Sequence, residues 1–128
     1  MQPDPVNPEQ FASRLAPSFA QDLLRIAAPD NTEADFRREV VLLLDRIVGE
    51  AQIPFSVREE YHVARGRTDA VYNRLIIEYK RPGVLGERLS AKGNQGAIEQ
   101  VKDYILGVAK RERREAHRLA GIAMDGRY

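Results

Sequence analysis

The sequence predicts a single α/β domain, and three observations carry that expectation. Apolar residues recur at helical spacing between positions 31 and 50, and two short apolar strands flank Asn73-Arg74. A further amphipathic stretch from Gln95 then leads into the apolar segment "LAGIAMDGRY". At 128 residues the chain has the length of one domain and can bury a core. Its 43% apolar and 30% charged residues are those of a globular protein, not of a disordered or membrane one. With no cysteine, disulfides and thiolate metal sites are excluded and a cytoplasmic location is the expectation. No apolar run approaches the roughly 20 residues of a membrane span, so no membrane partner is expected.

Residues 1–30 are expected to form an arm and short helices. "MQPDPVNP" reads as loop, after which Asn7 caps a helix with Pro8 at its first position. Phe11 and Leu15 follow at helical spacing before Pro17, which ends or kinks that helix. Ser18 caps a second one carrying Phe19, Leu23 and Ile26, which stops near Pro29. In "NTEADFRREVVLLLDRIVGE", Asn31 or Thr32 is the cap, and Glu33 and Asp35 sit in the first turn, where the helix dipole favours them. Phe36, Val40, Leu43, Leu44 and Ile47 form the buried stripe, with Glu33 near its middle and Glu39 nearer its edge.

Pro54 breaks away from this helix, "FSVREEYHV" alternates as a strand, and Gly66 supplies a turn. "RTDAVY" and "LIIEYKR" are the strands of a hairpin about Asn73-Arg74, although Arg suits the second position of a type I′ turn poorly. Pro82-Gly83 ends the hairpin, and the glycine-rich "GVLGERLSAKGNQG" reads as a mobile loop. Ile98, Val101, Ile105 and Val108 mark the next helix, and the last strand follows. The net charge of +1 hides a basic run, "KRERREAHR" from Lys110 to Arg118, which reads either as a solvated helix end or as a phosphate-facing patch.

The hairpin carries chemistry. If Asn73 and Arg74 are its loop, Tyr72 pairs with Leu75, Val71 with Ile76, Ala70 with Ile77, and Asp69 falls opposite Glu78. Opposed residues share a face, and Lys80, two beyond Glu78, points the same way. In the same register Arg67 falls opposite Lys80. Two carboxylates so placed repel each other and need a shared proton, a cation or a metal ion. Hard oxygen donors on a rigid hairpin suit Mg²⁺, and a lysine beside them can activate water or stabilise phosphoryl charge. His62 and His117 have no partners at metal-ligand spacing and read as surface residues.

These residues resemble the core motif of the PD-(D/E)XK nuclease superfamily: an aspartate early in one strand, then Glu-x-Lys on the next. Thr68 stands where the name has proline. The resemblance implies a three-layer restriction-endonuclease-like fold, a central mixed sheet flanked by helices, over roughly residues 31–128. It implies Asp69 and Glu78 as catalytic metal ligands, with the Tyr79 backbone carbonyl as another. Lys80 would orient or deprotonate water. A glutamate from the first core helix often completes such sites; Glu33 is expected here, with Glu39 the alternative.

"QVKDY" places Gln100 and Tyr104 four apart on one helix face. This resembles the Gln-x-x-x-Tyr motif of RecB-like nucleases and of type I restriction motor subunits, where it supports the catalytic residues or contacts DNA. Arg67 and Arg81 are the further candidates for phosphate contacts. The implied activity is that of a Mg²⁺-dependent DNA endonuclease domain of a restriction-modification enzyme, with Mn²⁺ substituting. Double-stranded DNA is the implied substrate and further restriction-type domains or subunits the implied partners. The strand "GIAMDGRY" resembles one that leads onward in restriction enzymes, so a truncated N-terminal piece of a longer polypeptide is expected. The rival readings are a non-cleaving nucleic-acid-binding module and a recombination or repair nuclease.

Overall fold

In the computed structural model of this protein, residues 6–28, 30–52, 57–63 and 66–128 are described, with backbone alone at 58, 60, 63, 67 and 68. The expectations for the first five residues, Pro29 and Pro54 lie outside the described residues, as do the side chains of Arg67 and Thr68. Helix α1 spans Pro8–Ile26, and the Asn7 side chain accepts a hydrogen bond from the Gln10 amide at 3.1 Å. Two helices were expected on either side of Pro17, but the chain makes one. Proline removes one backbone donor, whereas Phe11, Leu15, Phe19, Leu23 and Ile26 form one half-buried stripe running past it. Leu23 and Ile26 pack against the core, and that continuity offsets the break.

Both candidate caps of the next helix are used, for different ends. Asn31 Nδ2 donates to the Ile26 carbonyl at 2.6 Å and closes α1. Thr32 caps α2 (Glu33–Glu50) in a reciprocal box with Asp35. Phe36, Val40 and Leu43 are the buried residues of α2. Glu33 does not join that stripe: it occupies the first helical position and is exposed.

Strands β1 (Val57–Val63), β2 (Gly66–Tyr72) and β3 (Leu75–Tyr79) pair antiparallel in sequence order. At the β2–β3 turn only Asn73 adopts a positive φ (53°), so Arg74 avoids the left-handed conformation a type I′ turn would impose. Helix α3 (Lys92–Glu112) then crosses over, and after a 3₁₀ turn at Ala116–Arg118, β4 (Ala120–Met124) pairs parallel to β3. The result is a mixed four-stranded sheet in the order β1-β2-β3-β4.

Period-two alternation divides the strands between two cores. Ala70, Tyr72, Ile77 and Tyr79 meet Phe36 and Val40 of α2 on one face. Val71 and Ile76 meet Tyr104 and Val108 of α3 on the other. None of the described helices is long and apolar enough to cross a membrane.

The glycine-rich segment, residues 83–96, expected as a loop, is tied to the fold by side-chain hydrogen bonds and is helical from Lys92. Asp125, fully buried just after β4, accepts hydrogen bonds from the Gly83 and Leu85 amides through Oδ2 and from the Arg127 and Tyr128 amides through Oδ1. Asn94 receives the Gly86 amide and donates to the Gly86 and Arg88 carbonyls. Helix α3 therefore starts at Lys92, three residues before the expected Gln95. Gly93 fits inside it because a Cβ there would stand 2.3 Å from the Val84 carbonyl oxygen.

Candidate active site

The β2–β3 ladder contains the three expected pairs, Tyr72↔Leu75, Val71↔Ile76 and Ala70↔Ile77, and stops there. Asp69 and Glu78 are next in that register, but Asp69 ends the ladder by inserting its side chain: Oδ2 accepts a 2.8 Å hydrogen bond from the Tyr79 amide. A backbone donor that would have sought a strand partner is satisfied by a carboxylate instead. On an extended strand the amide and carbonyl of one residue share an edge, so the Tyr79 carbonyl faces the side Asp69 occupies. Arg67 pairs with His62 of β1, and no Arg67–Lys80 pair forms because the ladder has already ended.

Glu78 is buried, 4% exposed, and its Oε2 finds no hydrogen-bond partner among the described residues. Lys80 Nζ lies 3.7 Å from Glu78 Oε1. Burial, then the negative charge of Asp69, pushes the Glu78 carboxyl up to about 7; Lys80 pulls against this and Glu33 adds to it. Glu33 thus acts on the site electrostatically from the start of α2, without belonging to the apolar stripe. Glu39 is exposed on α2, beside a cavity lined by Asn31, Asp35 and Arg38.

Lys80 is held from the α3 side. It donates to Gln100 Oε1 at 2.6 Å, and Gln100 Nε2 donates to the Tyr104 hydroxyl at 2.8 Å. The amide orientation is fixed by Lys80, since a reversed Gln100 would set an NH₂ against the ammonium, and the Tyr104 hydroxyl then accepts from Nε2. Tyr104 in turn packs against Gly66, where φ is +140° and an added Cβ would stand 3.2 Å from the ring. The first residue of β2 and the residue after β3 are linked through one face of α3. Arg81 follows in an exposed turn.

Two residues beside the site, Arg37 and Glu59, escaped the sequence reading, as did Asp125, which anchors the segment after β3. Arg37, one turn after Glu33, brings Nη1 to 3.6 Å from Asp69 Oδ1. Arg37, Glu59, Asp69 and Tyr79 line a cavity of about 340 Å³ beside the hairpin. Asp125, the third, was visible only as the start of an Asp-Gly turn.

The basic run lies elsewhere. Ala120 pairs with Leu75 at the beginning of β3, so Arg118 and its neighbours stand at the end of the sheet away from Lys80. Arg111 is spent on β1, donating to the His62 carbonyl and stacking 4.1 Å over the Tyr61 ring. His117 Nε2 lies 3.4 Å from Glu115, on the surface.

The donor chemistry at Asp69, Glu78 and the Tyr79 carbonyl is all oxygen, and the unbonded Glu78 Oε2 is a position a hard cation would satisfy. Among the described residues, no three His, Asp or Glu side chains converge as a finished metal cage. Such a cage is not what Mg²⁺ requires, since it keeps several waters and takes one or two carboxylates. No family model matches this chain, and no curated protein or solved structure was found to match it.

Proposed function

We propose that this domain hydrolyses phosphodiester bonds in double-stranded DNA, as a Mg²⁺-dependent endonuclease of the PD-(D/E)XK type. The observation that carries the reading is the buried Glu78, with one oxygen unbonded, set between the Asp69 carboxylate and the Lys80 ammonium. A surface ion pair would have no reason to be desolvated and crowded by a second carboxylate. The helices on the two faces of the mixed sheet support reading the architecture as the three-layer restriction-endonuclease-like fold.

In this reading Asp69, Glu78 and the Tyr79 carbonyl would hold the ion, with Glu33 contributing charge from α2. When bound, Mg²⁺ supplies a Lewis acid for the phosphate and a water of lowered pKa. Lys80, fixed by Gln100 as an ammonium, would orient the attacking water and stabilise charge on the phosphoryl oxygens, the water's proton passing to solvent. The water oxygen bonds to phosphorus as the bond from phosphorus to the 3′ oxygen breaks, leaving a 5′-phosphate and a 3′-hydroxyl. A restriction-type assembly is the expected setting, and Mn²⁺ the expected substitute ion.

Calorimetric titration of Mg²⁺ and Mn²⁺ into the wild type and Asp69→Asn tests the site. Binding should occur in the wild type and weaken at least tenfold in the variant, because Asn cannot replace the carboxylate charge. Lys80→Ala should keep the ion yet lose about 10²-fold or more in cleavage of a plasmid substrate. Absence of any binding by the wild type would sink the metal site and the nuclease reading together.

A further inference from the structure

Four arginines from three separate elements converge at the end of the sheet away from Lys80. Arg74 comes from the β2–β3 turn, Arg113 and Arg114 from the end of α3, and Arg118 from the 3₁₀ turn; with Glu115 they line a cavity of about 230 Å³. We propose that this cluster is a second phosphate-binding site, which grips the backbone of duplex DNA at a distance from the hydrolytic centre. The choice of DNA as occupant rests on the nuclease reading; the anion site itself does not.

Three observations support it. First, the ordinary reason for arginines at a helix end is the helix dipole and the last carbonyls. That accounts for Arg113 and Arg114 but not for Arg74 or Arg118, which belong to other elements. Ala120 donates a 3.0 Å hydrogen bond to the Arg74 carbonyl, fixing the turn beside the start of β4.

Second, charge is poorly neutralised. Arg114 Nε meets Glu112 at 3.4 Å and Arg118 Nε meets Glu115 at 3.2 Å. Neither Arg74 nor Arg113 has an acidic side chain within ion-pair distance among the described residues. A guanidinium offers five N–H donors in a planar fork, and a single carboxylate oxygen at Nε leaves the others for a phosphate.

Third, Arg113 takes the left-handed conformation (φ 54°, ψ 47°) at the end of α3, where its own amide bonds the Ala109 carbonyl. Glycine is the residue that adopts this cap without strain. Arginine there costs on the order of 1 kcal/mol and places a cation in the cavity, a local strain of the kind found at ligand sites.

Arg74 and Lys80 are six positions apart along an extended strand, about 20 Å at roughly 3.3 Å per residue. The cluster and Lys80 are therefore too far apart to share one phosphate.

The test is fluorescence anisotropy of a labelled 20-bp duplex over a salt series in EDTA, with wild type, R74Q/R113Q and R74K/R113K. Each neutralised phosphate contributes about 0.9 to the slope of log affinity against log salt. The Gln pair should lower that slope by about 1.8 and weaken binding by at least tenfold at low salt, and the Lys pair should restore both. Thermal melts of all three verify folding. A slope unchanged in R74Q/R113Q would overturn the site even if the duplex binds. No duplex binding by the wild type would overturn the choice of DNA. A slope that responds as expected in a protein that binds no Mg²⁺ would keep this site while the nuclease reading fell.

Discussion

Glu78 concentrates the energetics of the site in one side chain. Its carboxyl is raised from an ordinary 4.5 to about 7, so the folded protein binds that proton more tightly than the unfolded chain does. Without metal, stability therefore falls as pH climbs from about 4.5 through 7 and levels off above. The full penalty is on the order of 3 kcal/mol. Glu78→Gln should remove that slope: its metal-free melting temperature should exceed the wild type's by several degrees at pH 8, with the difference gone by pH 4. Parallel pH profiles in the two proteins would show that Glu78 is not the titrating group. Asp69 and Lys80 were legible because a two-residue turn and a period of two fix which side chains oppose each other. Arg37 was not, since its approach to Asp69 depends on how α2 lies over the sheet, which no local pattern encodes.

Among elements, residues 83–96 show what composition leaves out. Glycines and small polar residues report backbone permissiveness, and permissiveness reads as mobility. What fixes the segment is Asp125, 42 residues from Gly83 and 40 from Leu85. Contacts so distant in sequence leave no periodic trace. Asp125→Asn should cost about 2–4 kcal/mol in denaturant unfolding, because the new NH₂ faces backbone donors on one side of the carboxylate. The Gly83 and Leu85 amides should exchange faster in that variant; an unchanged midpoint would mean the loop is held by Asn94 alone. Helix α1 errs in the other direction. Pro17 was read as a boundary, yet a stripe from Phe11 to Ile26 is stronger information than one missing N–H. By contrast, the spacing of Gln100 and Tyr104 was readable because four residues return a helix to the same face, and the structure joins both to Lys80.

At the scale of the whole molecule, the sheet separates two charged clusters along β3: Asp69, Glu78 and Lys80 at one end and four arginines at the other. The crossover through α3 makes this division, since the helix carries Gln100 in its first half and Arg113 just past its end. If the ion binds only the folded chain, Mg²⁺ at 100 times its dissociation constant should add about 2.7 kcal/mol to global stability and about 10 °C to the melting temperature. Asp69→Asn should lose most of that gain, and a melting point indifferent to Mg²⁺ would contradict the linkage. Because Asp69 Oδ2 holds the Tyr79 amide at 2.8 Å, that single N–H resonance is an internal gauge of where the carboxylate is directed. Drawn toward a cation, Asp69 would loosen its hold, and the Tyr79 proton should move upfield in step with occupancy. A nitrogen-15 correlation spectrum could then follow the loading of the centre before any substrate is added.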